Sequence, residues 1–128
     1  MKNYLLIGLG GFVGANVRYW LGLAISGLTG GAAFPLPTLF INLTGSLIIG
    51  FVLGLYERFA LPSELRLTFV TGFLGAYTTF SSFSYETVNL ARHDEMLLAS
   101  LYVLASLTLG MLAVWSGFTL SRMVRRTA

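Results

Sequence analysis

The sequence predicts an all-α membrane protein with four transmembrane helices, the third of which is broken. Of its 128 residues, 55% are hydrophobic and only 10% are charged, and the mean hydropathy is +0.78. A soluble domain carries roughly 25% charged residues. The charges also stand in a few short groups. The uncharged stretches between them are long enough to cross a bilayer core, which takes about 20 residues of helix.

The first helix is predicted over residues 4–26. Its apolar start is similar to that of a cleaved signal sequence, but Arg18 and Trp20 occupy the region where small residues would mark a cleavage site. We therefore expect this helix to be retained. A glycine-rich turn and two prolines then lead into a second helix over residues 38–56.

The third helix is predicted over residues 64–91, with an interruption near residues 75–80. Residues 72–86 read GFLGAYTTFSSFSYE, so glycines and hydroxyl side chains stand where a membrane span is usually aliphatic. Glycine weakens a helix, and Ser and Thr offer hydrogen bonds to freed backbone groups. Non-helical backbone at membrane depth survives only where protein or a polar cavity surrounds it. The interruption is therefore a candidate ion or substrate site.

The fourth helix is predicted over residues 96–121 and completes a single domain over residues 1–128. Four spans put both termini on one side of the membrane. The basic residues on that side are Lys2, Arg58, Arg66, Arg122, Arg125 and Arg126, against Arg92 and Arg18 on the other. This six-to-two bias favours termini in the cytoplasm. The chain has no cysteine, which excludes disulfides and thiolate metal sites.

Two stripes of polar or small residues run along the predicted spans. They comprise Thr38, Asn42 and Ser46 on the second helix, and Tyr102, Ser106, Gly110, Ala113 and Gly117 on the fourth. Small residues let helices approach closely, so packing is the favoured interpretation for Ser46, Gly110 and Gly117. Asn42 is different, because a carboxamide in hydrocarbon is costly unless it is hydrogen-bonded. A role in a polar pathway and a structural role are both open for Asn42.

Phe80 and Phe83 are three residues apart and can present both rings on one side of the third helix. Such a pair ordinarily serves packing. A ring edge carries positive potential, however, so edges beside amide and hydroxyl donors can support an anion without a formal positive charge. Arg18 and Glu86 are the ionisable residues least clearly outside the membrane. Each is either an interfacial charge or a residue of an ion vestibule.

Residues 72–86 resemble the signature of the fluoride channel family known as Fluc or CrcB, in which a Gly-xx-Gly-xx-Thr-Thr-Phe-Ser-xx-Phe-like pattern occupies a broken third helix. The resemblance extends to a Gly-Gly-xx-Gly-Ala-xx-Arg-Tyr element over residues 10–19 and to an Asn-xx-Gly-Ser element that starts at Asn42. Together with the chain length and the four predicted spans, it covers essentially the whole sequence.

The resemblance implies a passive, fluoride-selective channel in a bacterial-type inner membrane. The family forms homodimers of subunits inserted in opposite orientations, with two pores and a central structural sodium ion. Carried over by motif position, the anion pathway would include Asn42, Phe80, Phe83, Tyr102, Ser106, Ser81, Thr38 and Arg18. The backbone carbonyls of Gly75 and Thr78 would hold the sodium ion.

Two features depart from the family pattern. At Gly110 the family's polar track would continue, so here the track is either shorter or completed by Ser116 or water. The basic residues are also distributed unevenly, although an antiparallel homodimer needs both orientations.

Three other classes of protein fit this sequence less well. A proton-coupled exporter of the small multidrug type needs a titratable carboxylate in its first helix, which here has none. A non-transporting subunit would use its small residues only for packing, so replacing Phe80, Phe83 or Asn42 would leave no transport phenotype. An enzyme is disfavoured, because the one histidine, His93, lies in a charged loop and no nucleophile and base stand at suggestive spacing.

Overall fold

The computed structural model describes residues 1–124, and the basic residues Arg125 and Arg126 lie outside this range. All regular elements within it are helical. They are α1 (Lys2–Thr29), α2 (Leu36–Phe59), α3 (Ser63–Leu65), a π-helical segment (Arg66–Leu74), α4 (Gly75–Tyr77), α5 (Phe80–Arg92) and α6 (Met96–Ser121). The π-helical segment runs directly from α3 into α4. Together with α5 these pieces form one long, interrupted helix. The fold therefore consists of four long helices, the third of which is bent.

The prediction of four helices with an interrupted third is confirmed. The fourth helix has the predicted bounds, whereas α1 and α2 each extend two or three residues beyond the predicted ends. The break lies at Thr78 and Thr79, whose backbones are extended, with φ −80 and ψ 158 at the first and φ −148 and ψ 114 at the second. The π-helical segment before the break was not predicted.

Two contacts show that the helices run alternately up and down. The Lys2 ammonium lies 2.9 Å from the Glu64 carboxylate, which joins the start of α1 to α3. Arg58, near the end of α2, donates a hydrogen bond to the carbonyl of Ser121 at the end of α6. These four helix ends therefore share one end of the bundle. The hydrogen bond from Lys2 also lowers the pKa of the exposed Glu64 carboxyl to about 2.

Glycines bring α1 into direct backbone contact with the π-helical segment. A Cβ on Gly10 would overlap the carbonyl oxygen of Thr68, and a Cβ on Gly14 would overlap that of Phe73. The two backbones thus touch with no side chain between them, which only glycine permits.

The contact between α2 and α6 depends on glycines in the same way. A Cβ on Gly50 would overlap the Val114 carbonyl oxygen, and a Cβ on Gly117 would overlap the Leu47 carbonyl oxygen. Gly117 is therefore a packing residue, as expected. Gly110 is not, because a Cβ there would have only the Ser46 Oγ within reach, at 3.9 Å.

Replacing Gly117 with alanine is expected to destabilise the protein by about 1–3 kcal/mol, because the added methyl group meets backbone atoms of α2 that cannot move aside. Thermal unfolding in detergent measures the effect. Gly8→Ala is the matched control, since no atom of the described residues lies within 4 Å of a Cβ at that position. Equal stability of the two variants would contradict the backbone contact.

The exposed apolar surface of the bundle indicates a membrane protein. Two helices, α2 and α6, are long and apolar enough to cross a membrane. Only 28% of the most apolar stretch of α2 and 11% of that of α6 is buried. A core helix of a soluble protein would be mostly buried, so these sides are suited to lipid. The α1 helix is as long, but Asn16 and Arg18 lower its hydropathy.

Candidate functional site

The helix break is tied to α2 by the side chain of Asn42. The Thr79 backbone N–H donates to Asn42 Oδ1 at 2.8 Å, and Asn42 Nδ2 donates to the Thr79 carbonyl oxygen at 3.1 Å. One carboxamide thus bonds to both backbone polar groups of Thr79, whose N–H has no acceptor within the helix. The two hydrogen bonds use one of the two amide N–H groups, so Asn42 retains a second donor.

The same break leaves the carbonyl oxygens of residues 75–78 without their helical donors, and Gly75 and Thr78 are two of these four. In a continuous helix the Gly75 carbonyl would accept from the Thr79 N–H, and the Thr78 carbonyl from the Ser82 N–H. Instead, the Thr79 N–H donates to Asn42, and the Ser82 N–H donates to Thr79 Oγ1 at 3.2 Å. The carbonyls of Gly75 and Thr78 are therefore available to another partner.

Gly45 on α2 makes room for the break. A Cβ on Gly45 would overlap the Thr78 Cγ2 and would lie 3.3 Å from the Tyr77 ring. On the other side, Tyr77 forms a 2.8 Å hydrogen bond between its hydroxyl and Thr44 Oγ1. The break is thus held at a fixed distance from α2 by residues adjacent to Asn42.

A cavity of about 370 Å³ opens beside the break, between α2, the bent third helix and α6. We call it the break cavity. Its polar lining residues are Asn42, Ser46, Thr78, Thr79 and Ser106, and its aromatic ones are Phe80 and Phe83. Ser106 Oγ is buried and has no hydrogen-bond partner among residues 1–124. A buried hydroxyl without a partner is costly, so it is a ready donor for a ligand in the cavity.

Three aromatic rings form a row that leads away from the break. The ring centroids of Phe80 and Phe83 are 5.7 Å apart and tilted by 43°. The Phe83 ring lies 5.2 Å from that of Tyr102, with a tilt of 55°. Tilted rings present edges as well as faces to the space between them. Phe80 is 78% exposed on the subunit surface, whereas Tyr102 is fully buried.

At the far end of this row, Glu86 accepts two short hydrogen bonds. Thr38 Oγ1 donates to its Oε1 at 2.7 Å, and the Tyr102 hydroxyl donates to its Oε2 at 2.7 Å. Both hydroxyls were expected in the anion pathway, whereas Glu86 was predicted to be either an interfacial charge or a residue of an ion vestibule. The structure brings the three residues together. The sequence signal for this grouping is the carboxylate late in the third span, which needs hydrogen-bond donors. The two polar stripes on the second and fourth helices supply them.

Two of the expected pathway residues lie apart from the break cavity. Ser81 is exposed, and its Oγ lies 3.3 Å from Thr79 Oγ1 rather than on the cavity wall. Arg18 is half-buried on α1, one turn beyond Gly14, and does not line the break cavity. Ser116, considered as a completion of the polar track, lines a different surface depression beside Trp115.

Comparison with known proteins places the chain in a family. The family model described as CrcB-like protein, Camphor Resistance (CrcB), matches residues 5–118. The protein named fluoride-specific ion channel FluC from Thermus thermophilus is 46% identical over 120 residues, which cover 94% of this chain and 95% of that relative.

Two further relatives carry the same name. The protein from Chlorobaculum tepidum is 46% identical over 124 residues, 96% of this chain and 97% of the relative. The one from Prosthecochloris aestuarii is 44% identical over 119 residues, 92% of this chain and 91% of the relative. All three are named as ion channels, which are not enzymes. A family match over nearly the whole chain, with the expected broken third helix, confirms the resemblance: the chain belongs to the CrcB family.

Proposed function

We propose that this protein is a fluoride channel that lets fluoride leave the cell passively. The observation that carries the proposal is the break cavity, which gathers an amide, free hydroxyls and two aromatic rings at a helix break inside the membrane-spanning bundle. The relatives' name, fluoride-specific ion channel, gives the identity of the ion.

The chemistry of the cavity suits a small anion that has lost water. Stripping water from fluoride is very costly, so the protein must replace it with several donors in succession. The remaining N–H of Asn42, the hydroxyl of Ser106 and the ring edges of Phe80 and Phe83 each supply positive potential without a full charge. Weak partners at successive positions allow the ion to enter and also to leave, as conduction requires.

Beyond Phe83 the proposed path meets Tyr102, Thr38 and Glu86. Here the two hydroxyl protons point to the carboxylate, so fluoride gains them only when Glu86 gives them up. The anion and the carboxylate therefore compete for the same two donors. Arg18 and Ser81 complete the proposed pathway at its approaches, where a positive charge attracts anions and a hydroxyl contacts water.

A second copy of the chain in the opposite orientation completes the proposed pore. Phe80 is largely exposed although it lines a cavity that contains an amide and hydroxyls, and the cavity opens onto the surface of the chain. Lipid would be a poor wall for such a cavity, whereas another copy would provide a protein surface. The chain must then insert into a bacterial inner membrane in both orientations, although the uneven distribution of its basic residues favours one of them.

A sodium ion between the two copies is proposed to hold the breaks together. The carbonyl oxygens of Gly75 and Thr78 lack helical donors, and oxygen ligands suit a hard cation. Gly75 is also exposed on the subunit surface, where both copies can contribute ligands. Residues 1–124 contain no cluster of His, Asp or Glu side chains that could hold a metal ion elsewhere.

Replacing sodium by a large organic cation is expected to weaken the dimer and reduce fluoride flux over a long incubation, because the freed carbonyls lose their partner. Size-exclusion chromatography in detergent and flux from liposomes measure the two effects, with potassium as a second replacement. Unchanged assembly and flux after exhaustive removal of sodium would contradict the cation site.

The channel itself is tested with liposomes that contain the purified chain and are loaded with fluoride. A fluoride-selective electrode should record rapid efflux that does not depend on a proton gradient and is far slower for chloride. Efflux that requires a proton gradient would instead indicate a carrier. Absence of any fluoride efflux from folded protein would overturn the proposed function.

A further inference from the structure

Ser46 lies on the wall of the break cavity, and Gly110 faces it across the contact between α2 and α6. Ser46 follows Asn42 by one helical turn on α2, and Gly110 follows Ser106 by one turn on α6. Asn42, Ser46 and Ser106 all line the cavity. A Cβ on Gly110 would lie 3.9 Å from Ser46 Oγ. The α2 hydroxyl thus stands close to the place that a side chain at position 110 would occupy.

This point differs from the rest of the contact between the two helices. At Gly50 and Gly117 the backbones touch, and an added Cβ would overlap a carbonyl oxygen of the neighbouring helix. At Gly110 there is room for a side chain. The helices therefore separate beside Ser46, and packing alone does not require a small polar residue there.

The Ser46 hydroxyl is also free to donate. Of the hydroxyls on the cavity wall, Thr78 donates to the Leu74 carbonyl and Thr79 donates to Ser82. Ser46 and Ser106 make no side-chain hydrogen bond within the described range of the chain, and Ser106 Oγ is buried. Many helical hydroxyls here are satisfied by the carbonyl four residues earlier, as in Thr44. Ser46 has this option but does not use it, so its proton is available to a ligand.

We infer that Ser46 contacts the permeating anion, and that it supplies from α2 the hydroxyl that α6 lacks at Gly110. The inference rests on the proposed fluoride channel and deepens it by one residue. The polar line then runs over Asn42 and Ser106 and continues at Ser46. A dehydrated fluoride ion accepts a hydrogen bond from this hydroxyl one helical turn beyond the Asn42 amide.

The test moves the hydroxyl from one helix to the other. Ser46→Ala, Gly110→Ser and the double variant S46A/G110S are compared with the native chain in the fluoride efflux assay. Ser46→Ala should slow efflux about tenfold, the loss expected for one hydrogen bond to a charged partner. Gly110→Ser adds its hydroxyl into open space, so the double variant should recover to within about threefold of the native rate by the same arithmetic.

Two further variants separate the hydroxyl from volume and from general damage. S46A/G110A fills the same space without a donor and should remain as slow as Ser46→Ala. Ser100→Ala removes a hydroxyl from the exposed side of α6 and should conduct at the native rate. Elution of every variant at the native position in size-exclusion chromatography establishes that each is folded.

The outcomes distinguish the inference from the function on which it rests. If the native chain conducts fluoride and Ser46→Ala conducts it at the same rate, the role of Ser46 is overturned and the proposed channel is unaffected. Recovery by S46A/G110A as complete as by S46A/G110S would overturn it too, since volume would then be sufficient. A native chain without fluoride efflux would overturn the channel and, with it, the inference.

Discussion

Asn42→Leu is expected to abolish fluoride efflux. The leucine side chain has a similar size but can neither accept from the Thr79 N–H nor donate to its carbonyl. Leaving the buried Thr79 N–H unpaired costs about 1–3 kcal/mol, whereas the Thr79 carbonyl keeps its acceptor role at the start of α5. The break must then rearrange, and the cavity loses its amide donor at the same time. We expect a fall in efflux on the order of 100-fold or more, since every 1.4 kcal/mol or so corresponds to a factor of ten.

Asn42→Asp separates the two parts of this effect. A carboxylate still accepts from the Thr79 N–H, but it cannot donate to the carbonyl and it repels an anion. This variant should therefore keep more of the fold than Asn42→Leu and still fail to conduct. Asn16→Leu is the matched control, because within residues 1–124 the Asn16 amide bonds only to the Phe12 carbonyl of its own helix. Rapid efflux from folded Asn42→Leu protein would show that the break does not depend on this carboxamide.

Phe83→Ile is expected to reduce fluoride efflux at least about tenfold, because an aliphatic side chain has no positive edge and aromatic contacts are worth about 0.5–1.5 kcal/mol each. Phe83 contacts the rings of both Phe80 and Tyr102, so its loss interrupts the row in the middle. Phe80→Ile should have a smaller effect on the stability of the subunit, since that ring is mostly exposed, but a similar effect on efflux.

The matched control for both variants is Phe12→Ile, which alters an exposed ring on α1 away from the break cavity. The same liposome assay compares all three, with chloride as a second anion. If Phe80→Ile and Phe83→Ile both show the native rate of fluoride efflux, the two rings serve only packing. A common loss in all three variants would point to general damage rather than to the aromatic row.

The sequence was sufficient to predict the bounds of the fourth helix and the place of the break, but not how the backbone is arranged inside the third helix. Charges flank residues 96–121 on both sides, and α6 has those bounds. The cluster of Gly and Thr near position 78 likewise indicated the break. The π-helical geometry of Arg66–Leu74 was not predicted, and this segment packs against the Gly10 and Gly14 backbone of another helix, a contact that the local sequence does not reveal.

The hydrogen-bond partners of the polar side chains could not be predicted from the sequence either. Spacing along one helix put Thr38 and Asn42 on a common face, yet it could not reveal that one faces Glu86 and the other the Thr79 backbone. Such pairings join positions 37 and 48 residues apart and exist only after the helices have packed. The sequence therefore identified donors in the spans, and the fold determines what each of them binds.

The π-helical segment has a consequence for how the chain is made. Runs of π-helix longer than a single turn are rare, so nine such residues need an external template. The α1 backbone at Gly10 and Gly14 contacts this segment directly, and it leaves the ribosome before residues 66–74 are synthesised. The surface that packs against the π-helical segment is therefore available before that segment has to fold.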